Sequence, residues 1–122
     1  PDIDGMATAG DHEIAIMTWN YHDDSLPGPA APVQMAVEGI PPAVSRVLLK
    51  HYRIDETHSN SNTLWKEMGS PQTPTPEQYS RLEAAGQLQL LESPRWVVAE
   101  KGAVRLDFSL PRHGLSLLQL SW

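Results

Sequence analysis

The chain has 122 residues, a net charge of −6 and no cysteine. That length supports one domain with one core, and the missing thiol excludes disulfides, thiolate metal sites and cysteine nucleophiles. An acidic chain without a basic block is a poor partner for nucleic acid or an anionic membrane, and no apolar run approaches the ~20 residues of a membrane-spanning helix.

Residues 1–12 read as a loop or linker: PDIDGMATAGDH is polar, lacks a signal-peptide pattern and has no initiator Met, as expected of a piece of a longer protein. Glu13–Tyr21 (EIAIMTWNY) is rich in β-branched and aromatic residues and predicts a strand. Ile14 and Ile16 fall on one face, Met17, Trp19 and Tyr21 on the other. Apolar groups on both faces predict a strand covered on both sides. A proline-rich loop follows, then Val33–Val37 as a second strand, a turn at EGIPP, and a long strand over Ser45–Ile54. There Val47 and Leu49 oppose Leu48 and Tyr52.

The next segment changes character. Asn60 or Ser61 can cap a short helix carrying Leu64, Trp65 and Met68, which Gly69 and Pro71 stop. TPEQ then opens a second helix, with Thr75 at the N-cap, Pro76 at the first helical position, Gln78 completing a capping box, and Gly86 at C′. The spacing predicts a helix–loop–helix insertion over about 59–86. WVVAEKGAVRLDFSL reads as a hairpin turning at Lys101-Gly102, and LSLLQLSW as the last strand. Within the second arm of the hairpin Val104, Leu106, Phe108 and Leu110 alternate with Arg105, Asp107 and Ser109, a period of two. Six strands with one helical interruption predict a mainly β fold, an antiparallel sandwich of immunoglobulin-like type spanning 13–122.

Few residues carry obvious chemistry. His22, Asp23 and Asp24 form a site-like triplet for metal or acid/base work, yet consecutive side chains in an extended loop diverge, so a turn accounts for them more simply. His51 and His58 flank Asp55 and Glu56 without a third ligand. There is no Gly-x-Ser-x-Gly elbow and no phosphate loop. Trp19, Trp65, Trp96 and Trp122 could make a sugar-stacking platform; the plainer expectation places Trp19 and Trp122 in the core. No cofactor and no metal are expected.

Several segments in order resemble the C-terminal region of family 39 glycoside hydrolases, the family of β-xylosidases and α-L-iduronidase. They are WNYHDD (Trp19–Asp24), HYRID (His51–Asp55), HSN (His58–Asn60), LWKEMGSPQTPTPEQY (Leu64–Tyr79) and LEAAGQLQLLESPR (Leu82–Arg95). The bacterial β-xylosidase branch looks nearer than the iduronidase branch. The resemblance implies an accessory β-sandwich attached to a (β/α)8 barrel that performs retaining hydrolysis of xylosides. The acid/base glutamate of that barrel lies in an Asn-Glu-Pro motif that this chain does not contain, so no catalytic residue carries over. It implies a domain of xylan degradation; the compartment is left open, with the bacterial cytoplasm or periplasm expected before a membrane. Its partner would be the barrel, across an interface at Ile14, Ile16, Tyr21, His22, Asp23, Asp24 and Trp65. A chain that dimerises or aggregates on its own, with Ile14 or Ile16 near the contact, is a further expectation, and a free-standing carbohydrate-binding module is the alternative function.

Overall fold

The computed structural model describes residues 3–122. Eight strands and two helices follow in the order β1 (Ile3–Gly10), β2 (Glu13–Asn20), β3 (Ala31–Val37), β4 (Arg46–Ile54), α1 (Ser61–Glu67), α2 (Pro76–Ala85), β5 (Gln89–Leu90), β6 (Arg95–Val98), β7 (Val104–Leu110) and β8 (Leu115–Ser121). All pairings are antiparallel. One sheet has the order β1-β2-β8-β4, with β5 and β6 both pairing the far side of β4; the other is the pair β3-β7. The chain is thus a β-sandwich unevenly divided into six strands and two.

The core fills the space between the sheets. Ile14 and Ile16 of β2, Val47 and Leu49 of β4, and Leu118 and Leu120 of β8 meet Val37 of β3 and Val104 and Leu106 of β7. Alternation puts these side chains inward, and register aligns them: Ile14, Leu120 and Leu49 lie directly opposite one another, as do Ile16, Leu118 and His51. Each of the aliphatic side chains contributes roughly 1.5–3 kcal/mol by leaving water. Asn20 fastens β2 to the end of β7. It is buried, its Nδ2 donates to the Leu110 carbonyl at 3.0 Å, and its backbone exchanges bonds with His113 and Gly114.

Three features depart from the sequence expectation. The segment expected as a linker over 1–12 holds a full strand from Ile3 to Gly10, paired residue for residue with β2; residues 1 and 2 lie outside the described residues. Its side chains are almost all exposed, so no apolar alternation marks it. The backbone ladder holds it at the sheet edge, turned by Asp11 and His12, where His12 has φ 59°. The domain therefore begins before Glu13.

The expected hairpin over 96–110 turns where predicted but does not form a ladder. Glu100 and Ala103 bond each other across Lys101 (φ 54°) and Gly102 (φ 75°). Beyond that bridge the arms separate, β6 joining β4 and β7 joining β3. The turn is a crossing between sheets. A Cβ at Gly102 would lie 2.7 Å from the Ile40 carbonyl oxygen, so the crossing requires glycine.

The helical insertion follows its caps. Asn60 accepts from the amides of Asn62 and Thr63, and Thr75 and Gln78 form the reciprocal capping box. Ser70 N–H reaches the Trp65 carbonyl and Gly69 N–H that of Lys66, a Schellman ending with Gly69 at φ 89°. Gly86 differs from expectation: it is the cap residue itself, at φ −82°, and its left-handed freedom is unused. Neither helix contains a buried residue. No described helix is long and apolar enough to cross a membrane.

Candidate functional site

Most residues with possible chemistry are occupied by local structure. Asp24 Oδ1 accepts from Leu26 N at 3.0 Å and from Arg112 Nη2 at 2.9 Å, and the Asp24 carbonyl receives His113 Nε2 at 2.7 Å. His22 meets the His113 ring edge-on, with centroids 5.9 Å apart, and Asp23 is exposed. The triplet thus belongs to a loop clipped to the 111–114 turn. Among the described residues no three His, Asp or Glu side chains converge as a metal site.

Asp55 organises the entrance to the insertion. Its Oδ1 accepts from the amides of Thr57 and His58 and from His58 Nδ1 at 2.8 Å, while Arg53 Nη1 stands 3.5 Å from Oδ2. Burial pushes this carboxyl up, but the bonds from His58 and Thr57 outweigh it and hold its pKa below the ordinary value. His51 lies in the core, 3% exposed, edge-on to Phe108 and 2.8 Å from Ser116 Oγ. Burial, then the Arg53 charge, lower its pKa to about 4. A shallow groove of about 630 Å³ runs between α1 and the 112–113 turn. It is lined by Asp55, Glu56, Lys66, Glu67 and Arg112, charges of both signs.

The candidate interface residues do not share one surface. Ile14 and Ile16 are 6% and 8% exposed and belong to the core, because alternation turns them inward. As contact residues for an outside surface they are corrected by the structure. Tyr21 is 63% exposed at the end of β2, and Trp65 is half-buried, its Nε1 bonded to the Pro71 carbonyl at 2.9 Å. Trp19 is not in the core either: it stands on the outer face of the large sheet, opposite Leu115.

That outer face is the unusual surface of the molecule. Register sets Met6, Met17, Leu117, Tyr52 and Leu90 directly opposite one another across five strands, and Trp19, Leu115 and Ile54 form the adjoining row. Met6 is 53% exposed and Ile54 and Leu90 are 40% exposed; the residues between shield one another and are half-buried. Polar residues border the two rows: Asp4 beside Trp19, and Thr8, Gln119 and Lys50 along the other side. The outer face of the β3-β7 pair shows the usual solvent pattern, with Gln34, Arg105, Asp107 and Ser109 all exposed. Trp96, 55% exposed, lies beyond the Gln119–Lys50 row with the Arg46 guanidinium 4.3 Å from its ring centroid. The sequence placed Met17, Trp19 and Tyr21 on one face of β2, but only the strand order brings Leu117, Tyr52 and Leu90 beside them.

Comparison with known proteins accords with this geometry. The family profile described as glycosyl hydrolases family 39 matches residues 2–104. The chain is 27% identical over 110 residues to a β-xylosidase of Geobacillus stearothermophilus, covering 90% of this chain and 21% of that protein. It is 29% identical over 119 residues to α-L-iduronidase of Mus musculus, covering 96% of this chain and 18% of that protein. The crystal structure of the GH39 enzyme from Xanthomonas axonopodis pv. citri superposes with a TM-score of 0.80 at 18% identity, over 96% of this chain and 25% of that one. The chain thus spans about a fifth to a quarter of the relatives it matches, and it belongs to glycosyl hydrolases family 39.

Proposed function

We propose that this chain is the non-catalytic β-sandwich domain of a family 39 glycosidase of β-xylosidase type, bracing a catalytic (β/α)8 barrel of the same enzyme. The observation that carries the reading is that family membership falls wholly on a sandwich, matching only about a fifth to a quarter of much longer glycosidases. A (β/α)8 barrel takes about 250 residues, and a retaining glycosidase needs two carboxyl groups about 5–5.5 Å apart around the scissile bond. Here Asp55 is filled by its own turn and Asp24 by Arg112, which supports a structural role for both. The substrate of the whole enzyme would be a xyloside, bound by the barrel.

Producing the catalytic segment of the same enzyme with and without this chain tests the proposal. With the chain present, the segment should be soluble and hydrolyse an aryl β-xyloside. Without it, yield and thermal stability should fall. A catalytic segment equally stable and active alone overturns the bracing role.

A further inference from the structure

The geometry points to the two apolar rows on the outer face of the large sheet, Met6–Met17–Leu117–Tyr52–Leu90 and Trp19–Leu115–Ile54, as the surface that docks on the catalytic portion of the same polypeptide. This inference rests on the function proposed above and specifies which side of the sandwich meets its partner.

Three observations select the face and its occupant. An antiparallel sheet that faces water alternates apolar inside with polar outside, as the β3-β7 pair does. The large sheet breaks that rule on its three central strands, β2, β8 and β4. Exposed apolar side chains that are contiguous rather than scattered, and rimmed by polar residues, mark an interaction site. Its composition is that of a protein interface: Met, Leu, Ile, Trp and Tyr at the centre, with Asp4, Thr8, Gln119 and Lys50 around them.

That composition does not suit a sugar. A pyranose ring needs an open aromatic face with hydrogen-bonding groups beside it, whereas Trp19 and Tyr52 are half-buried among aliphatic neighbours. Trp96, which is exposed, lies outside the patch and is paired with Arg46. The two helices pack chiefly on each other, and only Ile54, at the end of the second row, lines the groove beside the first helix. The choice between a second copy and the rest of the same chain follows from covalent linkage. In the matched glycosidases this domain is about a fifth to a quarter of one polypeptide. The remainder is held beside it at a millimolar effective concentration or so, well above that of a second copy.

Hydroxyl-radical footprinting tests the assignment, because Met6, Met17, Trp19 and Tyr52 are readily oxidised reporters within the patch. The chain alone, at low concentration, is compared with the chain joined to the catalytic segment of its own enzyme. The expected result is loss of oxidation at Met17, Trp19 and Tyr52 in the joined protein, with Tyr79 of the insertion unchanged. Substituting Leu117→Lys should restore oxidation of Met17 and Tyr52 in the joined protein while circular dichroism of the chain stays unchanged. If that variant fails to fold, Met6→Lys at the exposed edge serves in its place. A joined protein that hydrolyses aryl xyloside while these residues remain fully oxidised overturns the docking face and leaves the proposed function standing. Protection that appears in the chain alone as its concentration rises, or on adding xylo-oligosaccharide, also overturns it, assigning the face to a second copy or to carbohydrate.

Discussion

Ser116 Oγ lies 2.8 Å from His51 Nε2, and the same oxygen accepts a 3.1 Å bond from Arg53 Nε. Arginine only donates, so Ser116 Oγ is the acceptor toward Arg53, while its second lone pair or its proton faces His51 Nε2 according to the imidazole tautomer. Two positive charges sharing one buried hydroxyl would repel, so the shared contact favours a neutral His51 ring beside the Arg53 guanidinium. Burial and the nearby Arg53 charge agree, lowering its pKa from 6.5 to about 4.

The sign of the pH dependence follows. Below pH 6.5 the unfolded chain protonates His51 and the folded chain does not, so stability falls as pH falls, by about 1.4 kcal/mol per unit at most. The loss runs from near 6.5 to about 4 and then levels for this group. Asp55, whose pKa is held below its ordinary 3.8, extends the decline at lower pH. Thermal unfolding between pH 7 and 4 should show this slope, and His51→Gln should flatten it. A wild-type melting temperature constant over that range would contradict the neutral buried histidine.

Thr75→Ala removes the side-chain oxygen that receives Gln78 N and breaks the reciprocal box. The expected cost is about 1 kcal/mol, confined to the second helix. Hydrogen exchange should accelerate at Tyr79 to Leu82 and remain unchanged in β8.

Ser59 clasps both ends of the insertion. Its hydroxyl donates to the Arg53 carbonyl at 2.8 Å and accepts from Gln89 N at 2.7 Å. Ser59→Ala leaves both backbone groups without that partner, at a cost of about 1 kcal/mol or more. Limited proteolysis within residues 61–86 should become faster while the melting of the sandwich changes little. A cut rate equal to wild type would show that the helices are held by something else.

Leu118 sits 1% exposed between Ile16 and His51 in the central inner row. Leu118→Ala should cost about 2–5 kcal/mol, the transfer term plus an unfilled cavity. Denaturant unfolding should show a lower midpoint with the slope unchanged.

Much of the fold is legible in the sequence wherever a physical signal is local. The alternation from Val104 to Leu110 and the TPEQ start of the second helix both mark their elements directly. The edge strand Ile3–Gly10 leaves no such mark, because its small exposed side chains bury nothing and its order comes from backbone bonds to β2. The divergence of β6 and β7 is equally silent, since a tight turn at Lys101-Gly102 serves a hairpin or a crossing alike. The apolar face was half legible. Met17 and Trp19 announce an apolar outer side for β2, but the rows depend on β8 lying between β2 and β4, a pairing of residues far apart in sequence. For the same reason Ile14 and Ile16, equal candidates for either side by pattern alone, prove to be core.

The proposed role of this family 39 domain, to brace a catalytic barrel without hydrolysing substrate itself, is put at risk by measuring turnover of an aryl β-xyloside by the purified chain. No hydrolysis above the buffer rate is expected, with or without Asp23→Asn or Asp24→Asn, because Asp24 is bound to Arg112 and Leu26 in a structural loop. Clear turnover by the chain alone, abolished by either substitution, would contradict it.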